Sequence, residues 1–173
     1  TKDNAISAST VLGVGAVDTT ITNSGIISSE NDNGILIDSS TNGIITNNAG
    51  GIITVVNNCG ICADTSQNLT ITNSGTISAA SNTISASGSS GLTITNSGTI
   101  SVGSPSSTAI DLGNATGATI LLKKGSLIIG KISTTATGNK LQLDHGFGQA
   151  YFYETTGDFD LQDLSGNTVV KGS

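Results

Sequence analysis

The sequence has no tryptophan, no methionine and no arginine, a single proline, and only three Phe and two Tyr in 173 residues. A sphere of this size normally fills much of its volume with aromatic side chains. Here the apolar volume comes from Ile, Leu, Val and Ala, which suits a thin, elongated core better. Charge is scarce as well: 10% of residues are charged, against about 25% in an ordinary soluble domain. No charged residue lies between Thr65 and Ile110. Six lysines face twelve acidic residues, for a net charge of −6. An acidic chain with no basic cluster excludes nucleic acid and anionic membrane surfaces as partners. No apolar run approaches the roughly 20 residues that span a bilayer. No signal peptide is visible, and a start at Thr1 without any methionine leads us to expect a processed or excised form.

Scarcity of charge and abundance of Ser, Thr, Asn and Gly can indicate disorder, but disorder goes with low hydrophobicity and high net charge. With 35% hydrophobic residues and a mean hydropathy of +0.13, the chain reads as stacked β-structure instead. The length suggests one domain, or two small ones.

The only two cysteines are Cys59 and Cys62. That spacing suits a thioredoxin-like redox pair, half a zinc site, or a local disulfide. The redox motif needs a βαβ context, and zinc needs two further ligands, whereas the only histidine, His145, is remote in sequence. A disulfide clipping a turn fits best and implies an oxidising compartment.

What the chain does contain is a repeat. Ile21-Thr22-Asn23-Ser24-Gly25 returns at Ile71 and at Ile94, and a degenerate copy starts at Ile45. A second motif keeps phase with it through Ile35, Ile61, Ile84 and Ile110. Asn4 to Ser9 resembles an N-terminal copy. Within each unit apolar and small polar residues alternate with period two, as in strands. Ile, Val and Thr dominate, and Asn-Ser-Gly marks turns. Leucine-rich repeats need a Leu skeleton that is missing, and propeller blades are about 40 residues long. The expected fold is therefore all-β: a parallel β-helix, or β-solenoid, of about five coils of 23–26 residues. Two core ladders are expected, Ile21, Ile45, Ile71, Ile94 and Ile35, Ile61, Ile84, Ile110. Asn23, Asn47, Asn73 and Asn96 should form an Asn ladder at one corner, with the glycine closing that corner supplying a positive φ.

The end of the chain differs. All five aromatics lie between Phe147 and Phe159, and Asp144, Glu154, Asp158, Asp160 and Asp163 gather with them. The expected division is a repeat body over 1–133 and a capping or junction segment over 134–173, because an open solenoid end needs cover. The acids read as a solvated face. Asp158-Phe159-Asp160 falls short of a calcium loop.

These residues resemble a known family. Ile-Thr-Asn-Ser-Gly-Thr-Ile-Ser repeats interleaved with Gly-Ile strands, over roughly Asn4 to Ser133, resemble the passenger domains of bacterial autotransporters (type V secretion). Tyr151 to Gly172 is more loosely similar to passenger sequence ahead of a membrane barrel. The resemblance implies an extracellular or cell-surface location, with the outer membrane reached only through a barrel domain not contained in this chain. It also implies a role as an adhesin, facing a host-cell or glycan surface, or as a rigid spacer.

Several functions compete. The structural or adhesive reading is preferred, with no catalytic, cofactor-binding or metal-binding residues assigned and no Gly-x-Ser-x-Gly nucleophile context. Polysaccharide binding or cleavage is the enzyme alternative. Cleavage needs clustered carboxylates, and the second motif carries Asp38 and Asp64, which would stack on adjacent coils, and Asp111, which is out of phase. Tyr151 and Tyr153 could stack on sugars. Ice binding is a third class: Thr20-Ile21-Thr22, Thr70-Ile71-Thr72 and Thr93-Ile94-Thr95 resemble β-helical antifreeze surfaces, although Ile44-Ile45-Thr46 interrupts the array. A fourth possibility is a filament subunit, self-associating end to end through unpaired strands.

Overall fold

The computed structural model describes residues 6–7, 15–146 and 154–166. After β1 (Ile6–Ser7), the first coil holds β2 (Thr20–Asn23), β3 (Ile26–Ser29) and β4 (Ile35–Leu36). The second holds β5 (Ile44–Asn47), β6 (Ile52–Val55) and β7 (Ile61–Cys62). The third holds β8 (Thr70–Asn73), β9 (Thr76–Ala79) and β10 (Ile84–Ser85). The fourth holds β11 (Thr93–Asn96), β12 (Thr99–Val102) and β13 (Thr108–Asp111). The fifth holds β14 (Thr119–Lys123), β15 (Leu127–Ile129) and β16 (Lys131–Ser133). Then follow β17 (Asn139–Asp144), β18 (Glu154–Thr156) and β19 (Phe159–Asp163). No described residue is helical.

Each strand pairs in parallel with its counterpart one coil away, which makes three sheets and a β-solenoid. The first sheet runs β2-β5-β8-β11-β14-β17-β19, the second β1-β3-β6-β9-β12-β15, and the third β4-β7-β10-β13-β16-β18. Seven strands at about 4.8 Å give the first sheet a span of roughly 29 Å. Parallel pairing continues past Ser133, since β17 pairs with β14 and β19 with β17. The rod therefore makes about six turns where the repeats alone suggest about five. Of the aromatic segment expected to cap it, Phe147, Tyr151, Phe152 and Tyr153 lie outside the described residues. Phe159 is buried in the core.

Strand alternation decides which residues go inside. The column Ile45, Ile71, Ile94 is fully buried, and Ile21 continues it, half-buried. Ile35, Ile61, Ile84 and Ile110 form a second column with no exposure. A third column, Ile27, Ile53, Ile77 and Ile100, lines the second sheet. It lies in the same repeats, on the second strand of each unit.

Unequal repeat lengths are absorbed at corners, so strands stay in register. Four residues, Asn48 to Gly51, join β5 to β6, whereas Ser74 and Gly75 alone join β8 to β9. The glycines of the Asn-Ser-Gly corner correct one expectation. Gly75 and Gly98 do not have positive φ. They are glycine because coils approach too closely: a Cβ on Gly98 would land on the Gly75 carbonyl oxygen, and one on Gly75 on that of Gly51.

Candidate functional site

The buried polar groups of the rod lie mostly in columns. Asn23 Nδ2 donates to Asn47 Oδ1, Asn47 to Asn73, and Asn73 to Asn96, each at 2.8 Å. Asn96 Nδ2 closes the series on Ser126 Oγ at 2.6 Å. The same amides reach backbone carbonyls around the corner, as from Asn73 to Gly75 and Thr99. Each amide thus has partners within its own coil and in the next, which lets it be buried without loss. In the two following coils the position is Leu122 and Leu143.

A second buried ladder, not found by the sequence reading, runs through Ser40, Ser66 and Ser89 at the corner between the third and first sheets. Ser66 Oγ donates to the Ile37 carbonyl and Ser89 Oγ to that of Ala63, both at 2.7 Å. Ser40 N and Ser66 N donate in turn to Ser66 Oγ and Ser89 Oγ. The signal was present: these serines recur in step with Ile35, Ile61 and Ile84. Outside them, Asp18, Asn42 and Asn68 take φ of 53–55°, a conformation that Asn and Asp tolerate. Their side chains bond coil to coil, Asn42 to Asp18 and Asn68 to Asn42. Gly91 and Gly117 continue the same turn.

Cys59 and Cys62 are joined in a disulfide, with Cα atoms 5.8 Å apart, and both are buried. The pair pins the corner between β6 and β7, with Asn33 Oδ1 beside both sulfurs.

The acids are built into the coil stack. Asp38 Oδ1 accepts the Asp64 N–H at 3.0 Å. Asp64 Oδ1 accepts Ser85 Oγ and Ser87 N–H. Asp111 is in register with Ser85 rather than with Asp64, and accepts from Ser133 Oγ, Gly113 N–H and Asn82 Nδ2. Burial pushes the Asp38 carboxyl above its usual range; the bond from Asp64 N–H opposes this and the Asp64 charge adds to it. Burial also lowers the pKa of His145, against the pull of Asp163 and Asp144. Among the described residues no group of three His, Cys, Asp or Glu is placed to hold a metal. Asp158 and Asp160 are exposed on either side of buried Phe159.

The outer faces are regular. On the first sheet, Thr20, Ile44, Thr70, Thr93 and Thr119 form one outward column, and Thr22, Thr46, Thr72, Thr95 and Leu121 another. The interruption at Ile44 therefore affects only one of the two columns. The second sheet shows Ser28, Thr54, Ser78 and Ser101, with Ile26, Ile52, Leu127 and Ile129 exposed. A shallow groove of about 280 Å³ lies where β6, β9 and β12 end, lined by Val55, Val56, Ala79, Ala80, Val102 and Gly103. It sits over the short corner after β9.

No protein-family model, curated protein or solved structure matches the chain. Fold and surface alone define its class: a three-sided parallel β-solenoid whose polar ladders tie each coil to the next.

Proposed function

We propose that this chain is a length of a non-enzymatic, surface-exposed rod of the passenger type, acting outside the cell as an adhesin or a spacer. The observation that carries the reading is the use of the buried polar side chains. The Asn column and the Ser column both bond from one coil to the next, which suits a long, stiff body. The acids at Asp38, Asp64 and Asp111 are engaged in the same coil-to-coil bonding. The disulfide is consistent with an extracellular location, because such bonds persist in oxidising compartments. The test is labelling of intact source cells with an antibody raised against the chain. Surface label that is lost on mild protease treatment is expected. Label seen only after the cells are opened would overturn the reading.

End-to-end assembly is a second reading, favoured by one observation: β15, β18 and β19 close their sheets with edges that no described strand covers. Strand addition there by another copy would be an open contact, and such contacts propagate into filaments. Sedimentation of the chain, and of a version ending before Tyr151, tests it. Monomers in both at high concentration would remove it.

A further inference from the structure

We propose that the outward face of the first sheet is an ice-adsorbing surface, a binding function beyond that of a rod. Its two columns present Thr at eight of ten positions from Thr20 to Leu121, with Ile44 and Leu121 as the exceptions. No outward position of β2, β5, β8 or β11 is charged.

Some polar groups elsewhere on the rod surface bond coil to coil: Ser78 to Thr54, Ser97 to Ser74, Asn48 to Ser24. Among the described residues, no protein group hydrogen-bonds the hydroxyls of Thr22, Thr46, Thr72 and Thr95. Each keeps its one donor and two acceptor positions for whatever lies outside. The array is also stiff. Threonine is β-branched and restricted at χ1, and each of these strands is paired on at least one side and, from β5 to β11, on both.

The spacing selects the ligand. Parallel strands set the column repeat at about 4.7–4.9 Å. In a tetrahedral water network with O–H···O distances of about 2.75 Å, second-neighbour oxygens are roughly 4.5 Å apart. The mismatch is about 0.3 Å per coil, so across the unbroken run Thr22, Thr46, Thr72, Thr95 it accumulates to only about 1 Å. Only two columns exist, so mismatch along the strand does not build up. The hydroxyls can then occupy or bond to lattice positions while the threonine methyls lie between them. A crystalline polysaccharide is disfavoured, because sugar recognition leans on aromatic stacking and this face has no aromatic side chain between Thr20 and Leu121.

The test is partition of the full chain into slowly growing ice. The chain is expected to enter the ice. A Thr72→Lys/Thr95→Lys variant is expected to be excluded, and a Ser78→Lys/Ser101→Lys variant on the second sheet to behave like the parent. Because lysines could disturb folding, a Thr72→Val/Thr95→Val variant keeps the side-chain shape and removes only the hydroxyls; it is expected to enter the ice less than the parent. Circular dichroism confirms that each variant is folded. Exclusion of the parent chain, equal behaviour of the two lysine variants, or retention on crystalline cellulose with exclusion from ice would each overturn the proposal.

Discussion

Ile37 occupies space that a side chain on Gly43 would need: a Cβ there would stand 2.8 Å from Ile37 Cδ1 and 2.8 Å from Leu69 Cδ1. The relationship repeats along the rod with the sizes exchanged. The inward column Ile37, Ala63, Ala86, Leu112 is matched, six residues on, by Gly43, Leu69, Leu92, Ala118. Each coil thus combines one larger residue with one smaller one, which keeps the volume per coil similar. Gly43→Ala should therefore overpack the coil and cost about 1–3 kcal/mol. Adding Ile37→Val, which removes one of the two obstructing methyls, should recover part of that loss. Denaturant midpoints of the single and double variants check the coupling, and an unshifted midpoint for Gly43→Ala would reject it.

Adjacent residues on one strand should respond in opposite ways. Ile71 has no exposure, whereas Thr72 is half-exposed on the outer face. Ile71→Asp buries a carboxylate without a partner, which is prohibitive unless the group takes up a proton. Thr72→Asp places the same group in water and should change stability by no more than about 0.5 kcal/mol. Thermal unfolding of the two variants decides the matter; comparable losses would reject the inward assignment.

The Asn ladder makes a prediction about chemistry rather than size. Asn73 accepts from Asn47 and donates to Asn96, Gly75 and Thr99. Asn73→Asp leaves those acceptors without a donor and buries a charge among them. Asn73→Leu loses the same bonds, but the column itself carries Leu at 122 and 143. Both should destabilise the chain, leucine by about 1–3 kcal/mol for the unmet polar groups and aspartate by more. The reverse order in urea unfolding would show that the ladder matters for packing rather than for hydrogen bonding.

Asp38 links stability to pH. Folding raises its pKa through burial, with the Asp64 charge adding to the effect. The folded state thus holds the proton more tightly than the unfolded one. The resulting stabilisation is present below the normal carboxylate range and is lost as pH rises through the folded value. Asp38→Asn keeps an oxygen for the Asp64 N–H and removes the charge. It should raise Tm at about pH 7, with a gain that shrinks as both proteins are acidified. A gain independent of pH would point to a cause other than titration.

The disulfide should contribute modestly. Cys59 and Cys62 enclose a very short loop, and loop entropy then gives at most about 2 kcal/mol. Reduction, or Cys59→Ser/Cys62→Ser, should leave the β-sheet circular dichroism intact and lower Tm by a few degrees. Free thiols titrating in the native, unreduced chain would contradict the pairing.

The repeat pattern is enough to mark the chain as a parallel β-solenoid, because a phase kept by Ile35, Ile61, Ile84 and Ile110 alongside Ile21, Ile45, Ile71 and Ile94 admits few other folds. It also put the Asn column at a corner, since Asn-Ser-Gly recurs at the end of an alternating strand. It did not reveal the Ser40, Ser66, Ser89 ladder, because serine at a turn looks the same whether its hydroxyl faces water or a carbonyl of the neighbouring coil. Nor did it reveal why Gly75 and Gly98 are glycine: local sequence suggests a turn conformation, but the cause is contact with a coil more than twenty residues away. The continuation past Ser133 was hidden for a related reason. The repeat wording fades there, while the alternation that places Leu141 and Leu143 inside persists. The roles of the three acids were likewise settled only in space, since Asp38 accepts from Asp64 across a coil boundary and Asp111 from Ser133. Periodicity is written along the chain, so one-dimensional reading recovers it. What one coil does to the next depends on register and close approach, and only the stacked structure sets those.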